Sequence, residues 1–259
     1  MWRMTKEELK DIVIPDNFVL FKLDRGNDEV ILGEGDDQVK LFVPINIGNQ
    51  EVHAPVTGEV IKVCEFVGHA GSQAWETDVE VSEGDRAVVY YLDVVKALGG
   101  YRADHTGYDR DNRLVVVKGD DGEDEAYVFL QYDSFYCVLR NEEVIPVNGY
   151  VLGTLIDAQD IEGSFGAIDA NGRKLKQQMV VKHVGSPVSK YRMDSDQFEQ
   201  TSLESIDLEV GDIVYVEHDH YLAPLESDMH SVLEKGLVYI QRRHIVAKLS
   251  EPVQGIGYI

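Results

Sequence analysis

Short runs of apolar residues, many of them alternating with polar ones, cover most of the chain. The runs are rich in Val, Ile, Phe and Tyr, and Gly, Asp, Asn or Pro ends most of them. This pattern is typical of short β-strands joined by turns. It predicts strands at Phe18–Leu23, Glu59–Val67, Arg86–Tyr91, Leu114–Lys118, Tyr127–Gln131, Phe135–Leu139, Met179–Val184, Ile213–Glu217 and Gly236–Gln241. Because the strands are short and numerous, we expect an all-β protein built from barrels rather than from one open sheet.

The clearest helical pattern lies at the start of the chain. Thr5 precedes Glu8 by three residues, which is the spacing of a capping box, and Leu9 begins an apolar face. We therefore predict a short helix within residues 1–14. A second helical turn is predicted within residues 93–100, where two glycines end the pattern.

Four sequence blocks occur twice, in the same order but with different spacings. The paired blocks are Pro15–Leu20 with Pro146–Leu152, Gly58–Gly68 with Met179–Gly185, Val79–Val89 with Ile206–Val216, and Tyr136–Ile145 with Val238–Val246. Four matches in order indicate an internal duplication in which the length changes fall in loops. The duplication predicts an N-terminal helical segment at 1–14, a first domain at 15–147 and a second domain at 148–259, both within the usual size range.

The repeated blocks resemble the GroES co-chaperonins in their order of strands and turns. The resemblance rests on the opening strand Pro15–Leu23, the Gly-Glu-Val run that begins at Gly58, the Gly-Asp turn at Gly84 and the final strand of each half. It implies two tandem GroES-like β-barrels with long loop insertions, an arrangement similar to the double-domain co-chaperonins of plastids. It also implies a chaperonin ring of the GroEL type as the partner.

In GroES-like proteins, a mobile loop after the first strand carries an apolar triplet that binds the chaperonin. The long segment 24–55 occupies that place, and the resemblance makes Val30, Ile31 and Leu32 its chaperonin-binding residues. A second interpretation is open, in which Val30–Leu32 and Gln38–Pro44 are the two strands of a hairpin with residues 33–37 as its turn. The corresponding loop of the second domain, 157–176, offers only scattered apolar residues, so one binding arm per chain is expected.

Charge narrows the range of partners. The chain has 24 Lys and Arg against 47 Asp and Glu, which gives a net charge of −23. A field of this sign repels phosphate backbones and anionic lipid, so neither nucleic acid nor a membrane is an expected partner. Its start is mixed and charged and shows no signal-peptide pattern, and Cys64 and Cys137 are too few for a disulfide framework. We expect a cytoplasmic protein.

Motifs for catalysis and for metal binding are weak. The common nucleotide-binding, serine-hydrolase and metalloprotease motifs are absent from the sequence. His218 and His220 share one face of a strand, but no third ligand with matching spacing is visible. The acidic run 120–125 lacks the spacing of a calcium-binding loop and is read as a hairpin tip. We expect no enzyme activity, no cofactor and no metal.

Two functions from different classes remain. One is a co-chaperonin, a homo-oligomer that caps a chaperonin ring and encloses a folding client. The other is a non-enzymatic structural or assembly protein, for instance a phage virion component, built on the same pair of barrels. The order of the strands and the position of Val30–Leu32 favour the first. The long insertions and the weak second loop favour the second.

Overall fold

Short β-strands dominate the described part of the chain. The computed structural model describes residues 2–26, 28–32, 38–43, 56–65, 67, 75–76, 79–98, 113–156, 178–186, 189–194, 197–201, 207–216, 223–224, 233 and 236–252. Its α-helices are α1 (Lys6–Lys10) and α2 (Tyr91–Ala97). Its strands are β1 (Trp2–Met4), β2 (Phe18–Leu23), β3 (Asp28–Leu32), β4 (Val39–Val43), β5 (Val56–Val63), β6 (Trp75–Glu76), β7 (Arg86–Val89), β8 (Leu114–Lys118), β9 (Asp124–Gln131), β10 (Phe135–Arg140), β11 (Glu143–Pro146), β12 (Tyr150–Leu155), β13 (Gln178–Val184), β14 (Ser189–Asp194), β15 (Gln197–Thr201), β16 (Ile213–Val216), β17 (Ala223–Pro224), β18 (Leu237–Gln241) and β19 (Ile245–Leu249). The all-β prediction is confirmed, and each predicted strand is present with small shifts at its ends.

Two large sheets hold most of the strands. The first has eight strands in the order β1-β8-β9-β2-β5-β7-β10-β11, and the second has six in the order β17-β18-β12-β13-β16-β19. The smaller sheets are β15-β14-β6 and the hairpin β3-β4. Among the described strands, no pairing joins the two edge strands of either large sheet. The described sheets are therefore open.

The second sheet repeats the inner six strands of the first. Strands β8, β9, β2, β5, β7 and β10 correspond in order to β17, β18, β12, β13, β16 and β19. The registers agree as well, because Phe18 lies opposite Gln131 and Tyr150 lies opposite Gln241. A register shift follows Leu20 in β2 and the equivalent Leu152 in β12. Such bulges are inherited features of a sheet, and their recurrence supports the duplication.

The Gly-Asp turns repeat to the level of single hydrogen bonds. The Gly84 N–H donates to the Val60 carbonyl at 2.8 Å, and the Gly211 N–H donates to the Val181 carbonyl at the same distance. Both glycines have positive φ, 86° and 97°, which a residue with a Cβ adopts at a cost. In each turn the Asp side chain accepts a backbone N–H three residues earlier, at 2.7 Å. These contacts make the turn a rigid corner between two strands.

One of the four predicted block pairs is wrong. Val238–Val246 was matched with Tyr136–Ile145, but β18 and β19 correspond to β9 and β10, and both pairs are joined by a short 3-10 turn. The mismatch arises because β11 is an additional strand that pairs with β10 at the edge of the first sheet. Its apolar sequence resembles the end of β19, which has no such neighbour among the described strands.

The N-terminal helix covers the outer face of the first sheet. The capping box is present, since the Thr5 hydroxyl accepts the Glu8 N–H and the Glu8 carboxylate accepts the Thr5 N–H. Leu9 is buried in a cluster with Leu20, Tyr127 and two valines of β8. The second predicted turn is α2, which packs Val94 and Val95 into the first core.

Candidate functional site

The segment predicted to bind a chaperonin forms a β-hairpin. β3 and β4 pair in antiparallel register, with Val30 opposite Leu41, Ile31 opposite Lys40 and Leu32 opposite Val39. Of the two interpretations that the sequence left open, the strand pairing of the hairpin is present, and contact of Val30, Ile31 and Leu32 with a chaperonin stays a prediction. The turn at 33–37 lies outside the described residues. The hairpin forms because apolar and polar residues alternate strictly along β4, which gives that strand one apolar face that can be buried.

One side of β4 anchors the hairpin to the first core. Val39, Leu41 and Val43 are fully buried in that core, while Lys40 between them is exposed. Ile31, opposite Lys40, is 55% exposed. The side chains of Val30 and Leu32 lie outside the described part of the structure. Among the side chains of the hairpin that the structure describes, Ile31 is the large apolar one that is exposed to solvent.

Contacts at its two ends hold the hairpin in place. The Gly26 N–H donates to the Phe42 carbonyl at 3.2 Å, and Arg3 donates to the Gln38 carbonyl at 3.0 Å. The Arg25 guanidinium lies 5.3 Å from the centre of the Phe42 ring, a distance at which a cation is attracted to the ring. The hairpin is thus joined to the N-terminal segment and to the end of β2.

A charged cleft of about 270 Å³ lies beside the hairpin. It is lined mainly by three basic and six acidic residues, together with Leu23, Phe42 and Ala126. The charges come from neighbouring strands, because Lys22 lies opposite Glu59 and Glu59 lies opposite Arg86. This row of alternating signs across adjacent strands was the sequence signal that could have located the cleft. It is readable only when the strand order is known.

Ion pairs fill the cleft. Arg86 binds both oxygens of the Asp24 carboxylate, with Nη1 2.7 Å from Oδ1, and the Thr57 hydroxyl donates to the same carboxylate. Lys22 donates to Glu125 at 2.7 Å, and the hydroxyl of Tyr127 donates to the other oxygen of Glu125.

Two pKa shifts in and beside the cleft follow from this network. Burial raises the pKa of the Tyr127 hydroxyl, and the adjacent Glu125 carboxylate adds to the shift. The pKa of Asp121 is lowered, mainly because its carboxylate accepts the N–H of Glu123; burial acts in the opposite direction, and Arg25 adds to the lowering. A tyrosine with a raised pKa and a carboxylate with a lowered pKa are poor proton-transfer groups at neutral pH. The cleft geometry favours a structural role, in which ion pairs join the ends of four strands.

The acidic run 120–125 forms the tip of the β8–β9 hairpin, as predicted. Gly122 adopts a positive φ of 80° there, and the Asp121 carboxylate accepts the Glu123 N–H at 3.0 Å. Its carboxylates form ion pairs with Lys6, Arg25 and Lys118, and Arg25 is shared by Asp121 and Glu123. Within the described residues, no group of three or more His, Cys, Asp or Glu is arranged to hold a metal. His218 and His220, and the second-domain loop 157–176, lie outside them.

The two cysteines are buried inside the first half. Neither Cys64 nor Cys137 forms a disulfide, and burial raises the pKa of Cys137 to about 12. A thiol in that state is inert as a nucleophile at neutral pH.

No family model matches the chain, and no curated protein matches it in sequence. Among the described helices, none is both long and apolar enough to cross a bilayer.

Proposed function

We propose that this chain is a co-chaperonin, in which residues 15–147 and 148–259 form two GroES-like barrels that cap a chaperonin ring. The repeated strand order supports this proposal most strongly, because it places a long connection between the first and second strands of each half. In the first half that connection carries the β3–β4 hairpin. The proposal assigns contact with the chaperonin to this hairpin, with Ile31 as the side chain that enters an apolar groove.

A paired hairpin changes how the arm works. An open loop loses conformational entropy when it binds, whereas a hairpin is already ordered and presents its side chains at fixed positions. Ile31 is 55% exposed, so burying its remaining surface against an apolar groove contributes about half of the roughly 1.5–3 kcal/mol of a fully exposed side chain, or about 1–1.5 kcal/mol per arm. Several such weak arms in one homo-oligomer give tight but reversible capping.

Charge supports the same role. A chain with a net charge of −23 repels acidic neighbours and remains soluble at high concentration. A wall of this sign adheres poorly to acidic folding clients, which is a useful property in a lid. The proposal needs no cofactor.

The alternative, a non-enzymatic structural or assembly protein on the same barrel pair, is favoured by a different observation. The buried side chains of β4 tie the hairpin into the first core. A segment held in this way is a wall of the protein rather than an extended arm.

A substitution of the exposed residue Ile31 distinguishes the two proposed functions. The experiment is capture of the purified chain on an immobilised GroEL-type chaperonin, with ADP and with ATP. Wild-type protein should be retained, and Ile31→Ser should reduce retention at least tenfold. The matched control is Val210→Ser, because Val210 is also exposed, at 68%, and lies in the Gly-Asp turn of the second half. Retention of Ile31→Ser at the wild-type level, or no retention of wild type, would remove the co-chaperonin proposal.

A further inference from the structure

The ion pairs of the charged cleft leave one carboxylate over. Five of the six carboxylates that line the cleft are paired with a cation. The pairs are Asp24 with Arg86, Glu125 with Lys22, Asp121 and Glu123 with Arg25, and Asp124 with Lys118. The sixth carboxylate belongs to Glu59, whose side chain forms no hydrogen bond or ion pair within the described part of the chain. The structural role of the cleft therefore does not extend to Glu59.

Glu59 lies between two cations that bind other carboxylates. Its neighbours across the sheet are Lys22 on β2 and Arg86 on β7. The Lys22 ammonium is 2.7 Å from the Glu125 carboxylate, and Nη1 of Arg86 is 2.7 Å from Oδ1 of Asp24. Both cations are thus engaged elsewhere, and the half-buried Glu59 adds a negative charge to the wall of the cleft.

The second repeat shows that the fold does not require these charges. Each repeat has a row of three residues across neighbouring strands, and the last residue of the row directly follows the Asp of the Gly-Asp turn. The rows are Lys22, Glu59 and Arg86 in the first repeat and Thr154, Val180 and Ile213 in the second. Uncharged residues thus complete the same backbone. The fold does not account for the charged row, and departures of this kind are expected where a surface binds a partner.

The charged row lies on an uncovered part of the outer sheet face. The N-terminal helix packs over Leu20, and the second repeat packs over Val88. Lys22 follows Leu20 by two residues and Arg86 precedes Val88 by two, so all four side chains share this face. Between the two covered parts, the cleft is open to solvent. The row is therefore accessible to a binding partner.

Size and charge define what fits the cleft. Its volume of about 270 Å³ is below the roughly 300–1,000 Å³ of small-molecule sites, so it suits a single side chain. Six acidic residues against three basic ones leave an excess of three negative charges, which attracts a cation. The guanidinium of arginine binds a carboxylate through two parallel N–H donors. A second copy of this chain, with its net charge of −23, is an unfavourable source of such a group.

We propose that the cleft receives an arginine side chain from a basic segment of a partner protein, with Glu59 as the carboxylate that accepts its N–H groups. Lys22, Arg25 and Arg86 keep their own carboxylates, so the arginine enters without breaking an existing pair. The remainder of the basic segment lies along the acidic tip of the β8–β9 hairpin. This surface follows from the comparison of the two repeats and does not depend on the proposed function.

A short arginine peptide tests the cleft. Binding of fluorescein-labelled hexa-arginine to the full-length chain is measured by fluorescence anisotropy at about 150 mM salt, which screens exposed charges more than half-buried ones. Wild type is compared with Glu59→Gln and with Glu59→Val, which introduces the residue type that the second repeat has at this position. The matched control is Glu143→Gln, because Glu143 is exposed on β11, outside the lining of the cleft, and the variant removes the same single charge. Circular dichroism confirms that each variant is folded.

The proposal predicts that both Glu59 variants raise the dissociation constant by about fivefold or more, since a direct charged hydrogen bond is lost. Glu143→Gln should raise it by less than about twofold, because only the net charge changes. Equal effects of Glu59→Gln and Glu143→Gln, or no binding of the peptide to wild type, would overturn the proposal. Self-association of wild type that Glu59→Gln abolishes, measured by sedimentation velocity, would also overturn it, because the occupant of the cleft would then be a second copy.

Discussion

The two repeats of this chain share a backbone plan but fill it in opposite ways. In the first repeat, Phe21 on β2 packs over Gly58 on β5, where a Cβ would lie 2.6 Å from the Phe21 ring. In the second repeat, the equivalent positions hold Gly153 and Met179, and a Cβ on Gly153 would lie 2.6 Å from the Met179 side chain. The large residue of the pair thus lies on the first strand of the first repeat and on the second strand of the second repeat, with the glycine on the other strand in each case.

The exchange teaches which properties the duplication preserves. Strand order, bulges and Gly-Asp turns are the same in both repeats, because they are features of the backbone, and moving a bulge or replacing a glycine at positive φ is costly. The side chains that fill the core are free to exchange as long as the total volume is kept. Outer surfaces differ most, since β1, α1 and β11 cover the first repeat and have no described counterpart in the second.

The largest expected effect breaks the packing exchange. Phe21 is fully buried and its ring lies edge-on to Phe135 at 5.7 Å. Phe21→Ala should lower the free energy of unfolding by about 3–5 kcal/mol, because Gly58 beside it cannot fill the cavity. Urea denaturation measures the loss, and Val13→Ala at an exposed site is the control. A loss below about 1 kcal/mol would show that β2 and β5 do not pack as described.

A smaller effect separates the two Gly-Asp turns. Asp85 is 4% exposed and accepts two hydrogen bonds from Arg140, at 2.9 and 2.6 Å, as well as the Ser82 N–H. Asp85→Ala should cost about 2–3 kcal/mol, since charged hydrogen bonds are lost and Arg140 loses its counter-ion.

The equivalent Asp212 pairs with Lys248, whose side chain is 43% exposed. Asp212→Ala should cost about 1 kcal/mol or less, because water screens such pairs. Urea denaturation of both variants measures the ratio. Equal losses would mean that Asp85 and Asp212 are stabilised alike, contrary to the burial of the first.

The sequence was sufficient for the strands, the N-terminal capping box and the Gly-Asp turns, because alternation, capping-box spacing and turn residues are local signals. It matched the fourth block to the wrong strands, since β11 and the end of β19 are both short apolar runs. The two differ in the strands with which they pair, which the sequence does not show. It also left the position of Ile31 open between loop and strand. That choice depends on Leu41 finding space in the first core, which is a long-range contact that periodicity does not contain.

The smallest expected effect is a pH dependence of stability that arises from Asp212 in the second turn. Burial acts to raise the pKa of Asp212, but the Lys248 ammonium and the Glu209 N–H outweigh it and hold the pKa below the ordinary value of 3.8. A carboxyl whose folded pKa is depressed binds protons more readily when unfolded, so its contribution to stability is present above pH 3.8 and is lost as the pH falls through the folded pKa. The difference in unfolding free energy between wild type and Asp212→Asn should therefore be constant at neutral pH and shrink below about pH 4. Taking this difference cancels the many other carboxylates that titrate in the same range. A difference that grows as the pH falls would contradict this prediction. It would show that the folded pKa of Asp212 is raised, with burial outweighing the Lys248 ammonium.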